Sequence, residues 1–181
     1  MEQTAIDVRE QHGKLLETYD ELEGLITLMG DQLLVAAPEV SGWSVGEHIE
    51  HLSITTSMSC KLIVRMTEGK AGESDLTPNA ERLAILMRGA DAGSLRLGIQ
   101  AGPRMSPQPG LDREKIQTNL NRTRIKIGQV EAVMDQVPAV TTRFKHMFFG
   151  PLLCSEWVFF IHQHARHHLN IAKAVRAALG K

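Results

Sequence analysis

The sequence predicts an all-α protein, a bundle of four long helices in a single domain over residues 1–181. Four long segments repeat apolar residues at steps of three and four, which is the spacing of one helix face. Strand signals are confined to the stretch Ala139–Phe144, and one strand makes no sheet. With 181 residues, 43% of them apolar, the chain can bury one sizeable core. These observations favour helices packed on helices.

The first predicted helix runs from about residue 3 to about residue 36 and stops before Pro38, which cannot continue it. Its apolar stripe consists of Leu15, Tyr19, Leu22, Ile26, Met29 and Leu33. The second predicted helix starts at Ser44-Val-Gly-Glu47, a capping box in which both side chains bond to free backbone N–H groups. It continues to about Lys70, where glycines follow.

A long crossover, about residues 71–110, separates the second predicted helix from the third. It contains four of the seven prolines, which favour loop over helix. A short extra helix is predicted from Pro78 to Arg88, and the segment Gly102–Gly110 is predicted to be loop. Long loops of this kind are often functional.

The third predicted helix follows Pro109-Gly110, with Asp112 as its cap, and Pro138 closes it. Its stripe consists of Ile116, Leu120, Ile127, Val130 and Met134. The fourth predicted helix has Pro151 in its first turn, where proline is tolerated, and reaches about Leu179.

Composition argues against several classes of function. Charged residues make up 23% of the chain and the net charge is −1, so no basic surface is expected for nucleic acid. The acidic, polar start and the lack of a long apolar run predict neither a signal peptide nor a membrane span. Cys60 and Cys154 are far apart without a Cys-x-x-Cys motif, which predicts buried free thiols in the reducing cytoplasm.

Six of the eight histidines fall in two short segments of the second and fourth predicted helices. His164 and His168 are four residues apart, so they share the apolar face of the fourth helix and point inward. His162 is expected on the opposite, solvated side, and His167 between the two faces. Two inward imidazoles are either hydrogen-bonded core residues or ligands of one shared metal.

The second predicted helix offers a third imidazole. His51 lies on the apolar side with Thr55, whereas His48 is expected nearer the solvent. Glu47 is expected to cap the helix, with a role beside the histidines as the alternative, and Glu50 is expected on a solvated face.

The three inward histidines, His51, His164 and His168, predict a metal site. Imidazole suits zinc, copper, iron and nickel, and three protein ligands with one open position are typical of catalytic zinc. The candidate pocket residues around them are Thr55, Thr123, Arg122 and His146, each with a structural role as the alternative. The chain has no His-Glu-x-x-His motif, no Gly-x-Ser-x-Gly motif and no glycine-rich phosphate loop.

Three segments resemble motifs of the DinB superfamily. Trp43-Ser44 with His51-Leu52 is similar to the start of that superfamily's second helix, and His164-Ala-Arg-His167-His168 is similar to its fourth-helix motif. His146-Met-Phe-Phe-Gly-Pro151 with Glu156-Trp157 resembles a subgroup motif in which a proline usually stands where Met147 does.

The resemblance implies a four-helix bundle with up-down-down-up order and a metal triad formed by His51, His164 and His168. It implies a divalent metal, zinc or nickel, with iron or manganese as alternatives. Some members transfer low-molecular-weight thiols and others are considered hydrolases, so the expected substrate is a small molecule and a thiol is a candidate cofactor. Both reactions remain open, and no catalytic residue is assigned. The alternative is a non-catalytic metal-binding bundle that responds to stress or binds a partner.

A homodimer is expected because family members often pair and two-fold dimers are the commonest soluble assembly. Four apolar residues of the crossover also have no helical stripe to join. They are Leu86, Met87, Leu95 and Leu97.

Overall fold

The computed structural model describes residues 6–93, 95 and 101–180, and within them the protein is mostly helical. The α-helices are α1 Val8–Met29, α2 Val45–Thr67, α3 Ala80–Met87, α4 Arg113–Glu131 and α5 Cys154–Ala178. Short 3-10 helices follow α1 at Gly30–Gln32 and α4 at Met134–Ala139. Two antiparallel strands, β1 Arg143–His146 and β2 Gly150–Leu153, form a hairpin before α5. None of the described helices has both the length and the apolar character needed to cross a membrane.

Side-chain caps start the helices close to where the sequence predicts them. The Ser44–Glu47 capping box is confirmed, since Glu47 accepts the Ser44 N–H at 2.8 Å while Ser44 Oγ accepts the Glu47 N–H at 3.2 Å. Asp112 caps α4 by accepting the N–H of Lys115 at 2.8 Å. The predicted first helix was too long, because the chain leaves α-helical geometry at Gly30, whose φ is +53°.

α1 runs antiparallel to α4. Near the start of α1, His12 Nε2 donates to the carbonyl oxygen of Ile127 at 3.1 Å. Near its end, the carbonyl oxygen of Ile26 accepts from the Arg113 guanidinium at 2.9 Å. Apolar side chains of both helices, such as Leu15 and Ile116, are fully buried in the shared core.

α2 runs parallel to α4, and this contact corrects the prediction for Glu50. Asn119 of α4 donates to both carboxylate oxygens of Glu50, at 3.1 and 3.0 Å. One turn further along, Thr123 donates to the carbonyl oxygen of Ser53 at 3.2 Å. The predicted solvated position of Glu50 is wrong because α4 covers that side of α2, leaving Glu50 6% exposed.

α1 runs parallel to α5, and this contact corrects the prediction for His162. His162 Nδ1 lies 2.7 Å from the side-chain oxygen of Gln11, and further along the pair Arg166 bonds to Glu21 at 3.3 Å. His162 is 7% exposed because α1 covers the face that the sequence placed in solvent. Gln11 supplies the polar partner that such burial requires.

α2 and α5 run antiparallel, which brings the start of α2 beside the second half of α5. His48 of α2 lies next to His168 of α5, with their Nδ1 atoms 2.9 Å apart. At the other end of the contact, the Cys154 thiol lies 3.9 Å from the carbonyl oxygen of Ile63. Cys154 and Cys60 are both buried free thiols, as the sequence predicts.

The β-hairpin overturns two predictions. Pro151 lies in β2 opposite Lys145, not in the first turn of a helix, and α5 begins only at Cys154. The segment Ala139–Phe144 leads into β1, and the partner strand β2 contains Pro151, which was predicted to lie in the helix. Glu156 marks the true helix start, because its carboxylate accepts the N–H of Leu153 at 2.7 Å.

The crossover helix α3 falls within the predicted Pro78–Arg88 span, and its apolar side faces the protein's own core. Leu86 is fully buried and Leu95 is 8% exposed, so these two residues do not support a second subunit. Met87 is half-buried, and Leu97 lies outside the described residues. The homodimer stays a prediction.

The buried His162 predicts an acid-sensitive fold. Burial lowers the pKa of His162 from 6.5 to about 4, with smaller contributions from the nearby charges of Lys14 and Arg166. As pH falls from about 6.5 toward 4, the unfolded chain binds a proton that the folded protein excludes, so stability is lost. This one residue should lower the free energy of unfolding by roughly 3 kcal/mol at pH 4 relative to neutral pH.

The check is urea unfolding of the wild type and of His162→Gln at pH 7 and at pH 4. Glutamine keeps a hydrogen-bonding side chain but does not titrate, so the variant should lose less unfolding free energy on acidification. Equal losses in the two proteins would contradict the assigned burial.

Candidate metal centre

Three histidine rings meet where α2 and α5 touch. His51 comes from α2, and His164 and His168 come from successive turns of α5. One ring nitrogen from each lies within 4.8 Å of the other two, and the Nε2 atoms of His51 and His164 are 3.3 Å apart. Two nitrogens bound to one tetrahedral zinc lie about 3.3 Å apart, given Zn–N distances of about 2.0–2.1 Å. The spacing therefore suits a shared ion.

A backbone carbonyl of the crossover fixes the proton position of His51. The Nδ1 atom of His51 lies 2.7 Å from the carbonyl oxygen of Met105. Because a carbonyl only accepts, Nδ1 carries the hydrogen and Nε2 keeps its lone pair. A turn at Gly102, whose carbonyl accepts the Met105 N–H at 2.8 Å, holds this acceptor in place. The lone pair of His51 thus lies on the side of His164.

His48 corrects another prediction and orients His168. It was expected near solvent but is 2% exposed, because Trp43 packs against it with ring centroids 5.4 Å apart. His48 Nδ1 lies 2.9 Å from His168 Nδ1, and His48 Nε2 lies 2.9 Å from Ser41 Oγ. The chain of bonds is satisfied in either direction, with His168 donating to His48 and His48 to Ser41, or with Ser41 donating to His48 and His48 to His168. The first direction leaves the lone pair of His168 on Nε2, the nitrogen that does not contact His48.

The surroundings keep these imidazoles neutral. Burial lowers the pKa of His164 and of His168 well below 6.5, and the neighbouring imidazoles lower both further. Burial also lowers the pKa of His51, partly offset by its bond to Met105, and lowers that of His48 to about 4. Neutral imidazole is the form that binds metal ions, so the site is already in its binding state at neutral pH.

A cavity of about 760 Å³ opens beside the three histidines. Its wall includes four large aromatic side chains, those of Trp43, Phe148, Phe149 and Phe160. Phe160 stacks on His164, with centroids 5.3 Å apart and planes 18° from parallel. The cavity is large enough for a small organic molecule.

Of the four candidate pocket residues, His146 lines this cavity and the other three do not. Thr55 bonds to the His51 carbonyl within α2 at 2.9 Å. Thr123 is buried between α2 and α4, and Arg122 is exposed on α4. The three wrong assignments share one cause. Helical periodicity gives the face of the helix on which a residue lies, but not which part of a neighbouring helix lies opposite it.

Two contributors were absent from the predicted site. Met105 acts through its backbone carbonyl, and no side-chain pattern marks a residue that does so. Trp43 contacts His48, His51 and His168, with centroids 5.4, 5.1 and 6.3 Å away. The position of Trp43 just before the capping box could have predicted this role, because it brings the ring beside the first turns of α2.

Comparison with protein families agrees with this geometry. The model of the DinB superfamily matches residues 14–172, a range that includes all three clustered histidines. Comparisons with curated proteins and with solved structures found no match. The match confirms the resemblance carried by the sequence motifs.

The proton positions are directly testable by nitrogen-15 NMR of the histidine side chains. In metal-free protein at neutral pH, His51 and His168 should both be neutral and protonated at Nδ1. Because the bond to the Met105 carbonyl imposes this form on His51, a spectrum with His51 protonated at Nε2 would contradict the described site.

Proposed function

The chain belongs to the DinB superfamily, and on that premise we propose that it is a metal-dependent enzyme acting on a small molecule. His51, His164 and His168 are the proposed ligands of one divalent ion. The observation that carries the proposal is the meeting of three neutral imidazoles at the wall of a cavity of about 760 Å³. A site for structure alone has no need of that adjoining space.

The donor set supports a particular group of metals. Three imidazoles with no thiolate or carboxylate among them suit zinc or nickel, with iron or manganese as the alternatives. The bond from His51 to Met105 leaves a lone pair on Nε2 of His51, and His168 has its lone pair on Nε2 when it donates to His48. His48 and the Met105 carbonyl hold these rings in place, which is the support that metal-binding histidines normally receive.

Each part of the site has a role in the proposed reaction. When bound, a divalent ion held by three neutral ligands keeps its full charge and makes a water or thiol beside it acidic enough to act as a nucleophile near neutral pH. The histidines position the ion, and Trp43 shields them on one side. Phe160 and its aromatic neighbours give an apolar wall to the space where a substrate would lie.

Hydrolysis and transfer of a low-molecular-weight thiol are both compatible with this arrangement. The two reactions differ in whether water or a thiol cofactor occupies the open position. A non-catalytic, stress-responsive bundle is the rival function, and it would suit a sealed pocket. The cavity beside the histidines supports the enzyme instead.

We also propose the family's up-down-down-up order for the four long helices. The parallel pairs, α1 with α5 and α2 with α4, and the antiparallel pairs, α1 with α4 and α2 with α5, support it. The long crossover between α2 and α4 is what this order requires, because parallel helices cannot be joined by a short turn. We further propose that the protein is a homodimer and that it is located in the cytoplasm.

Loss of any one ligand should abolish most metal binding. Purified wild type should carry close to one divalent ion per chain, whereas His51→Ala, His164→Ala and His168→Ala should each lose at least nine-tenths of it, because two imidazoles hold the ion far more weakly than three. The measurement is elemental analysis after dialysis against trace zinc and nickel. His162→Gln is the matched control, since it changes a buried histidine of α5 that bonds to Gln11.

Retention of the ion by all three alanine variants would refute the site. The reaction itself is tested by screening zinc- and nickel-loaded protein against carboxylic esters and amides, and against thiols paired with electrophiles. Turnover that disappears in the three alanine variants and persists in His162→Gln would support the enzyme. No turnover in either screen would favour the non-catalytic bundle.

A further inference from the structure

Two more histidines line the cavity without joining the other three: His167 on α5, and His146 on the β-hairpin. His146 ends β1, and it pairs with Gly150 across the hairpin. The hairpin loop between them is Met147–Phe149, and Gly150 takes a φ of +76° that favours glycine. The chain therefore reverses directly beside the imidazole of His146.

The loop fixes the proton position on His146. The backbone N–H groups of Phe148 and Phe149 both donate to His146 Nδ1, each at 3.1 Å. Since Nδ1 accepts, the hydrogen of the neutral ring is on Nε2. Burial lowers the pKa of His146 to about 4, which keeps the ring neutral. His146 is thus the opposite tautomer to the one deduced for His51.

The Nε2–H group is a donor whose acceptor is not among the described residues. Within residues 6–93, 95 and 101–180, no side chain or carbonyl accepts a hydrogen bond from it. Its ring is held among Phe149, Trp157 and Phe160, with centroids 5.0, 5.3 and 4.5 Å away. A hydrogen-bond donor set in an apolar wall is expected to find its partner in whatever fills the cavity.

The wall around this donor favours a flat, apolar ligand. Phe148, Phe149 and Phe160 line the cavity with Trp43. Arg82 of α3 fixes the loop by donating to the Phe148 carbonyl at 2.6 Å and by lying 5.1 Å from the Phe148 ring centre. Aromatic ligands gain from such walls by edge and face contacts as well as by burial.

The donor and the three histidines face the same space. Phe160 contacts His146 on one side and stacks on His164 on the other, with centroids 4.5 and 5.3 Å away. Phe160 therefore joins the part of the wall beside His146 to the part beside His164.

We infer that His146 is a substrate-binding residue, whose Nε2–H donates a hydrogen bond to a carbonyl oxygen of a small aromatic substrate held beside the three histidines. The inference rests on the proposed function in taking this cavity as the active site. It adds to that function the class of substrate, an aromatic carbonyl compound, and the residue that recognises its oxygen.

The test uses a matched pair of probes, acetophenone and α-methylstyrene. The two molecules have nearly the same shape, but the carbonyl oxygen of the first is a CH₂ group in the second. Wild-type protein should bind acetophenone about five- to tenfold more tightly, the effect of one hydrogen bond. Affinities are measured by NMR titration, on metal-free and on zinc-loaded protein.

His146→Asn isolates the donor from the hairpin. The asparagine oxygen can accept the same two backbone N–H groups that His146 Nδ1 accepts, as in an Asx turn, but it does not replace the Nε2–H group. The variant should bind α-methylstyrene as the wild type does and should lose the preference for acetophenone. The shift of the His146 Nε2–H signal on adding acetophenone to wild type gives a second readout that needs no variant.

Three results would overturn the inference: equal affinities in wild type, a preference that survives in His146→Asn, or no binding of either probe. Zinc content is measured on the same samples, so a failure of the metal site is seen separately from a failure of His146. A carbonyl preference that is lost in His146→Asn while zinc content is unchanged supports the assigned role.

Discussion

The constraint on which this structure depends is the burial of several imidazoles at one helix–helix contact. A buried ring nitrogen without a partner costs on the order of 1–3 kcal/mol, so each must have one. Here one nitrogen of His51 is hydrogen-bonded to the Met105 carbonyl, and one nitrogen of His168 is hydrogen-bonded to His48. The remaining nitrogen of His48 is hydrogen-bonded to Ser41. These bonds turn the other nitrogens of the two rings toward a common point. A metal ion at that point would give both nitrogens a partner.

Segments outside the long helices complete the site. The crossover supplies the Met105 carbonyl that accepts a hydrogen bond from His51, and the β-hairpin places Phe148 and Phe149 in the cavity wall. The hairpin is in turn attached to α5 through a mostly buried ion pair, Arg143 with Glu156, at 2.9 Å. The hairpin that carries His146 is thus fixed to the same helix that carries His164 and His168.

The sequence was sufficient to predict the helices and the three histidines that meet, because both follow from periodicity along a single helix. It did not predict His48, Glu50 and His162 correctly, since their burial depends on which neighbouring helix covers them and on a polar partner there. The hairpin was missed because Pro151 is equally acceptable in a first helical turn and in an edge strand. Met105 acts through its backbone, which leaves no mark in the sequence.

The central claim is that three histidines, and no other protein side chain, hold one divalent ion. X-ray absorption spectroscopy of zinc-loaded protein tests it most directly, because it counts the atoms around the metal and identifies their type. The account predicts three imidazole nitrogens at about 2.0–2.1 Å and one further light atom. Sulfur at about 2.3 Å, or a shell made mainly of oxygen atoms, would contradict it.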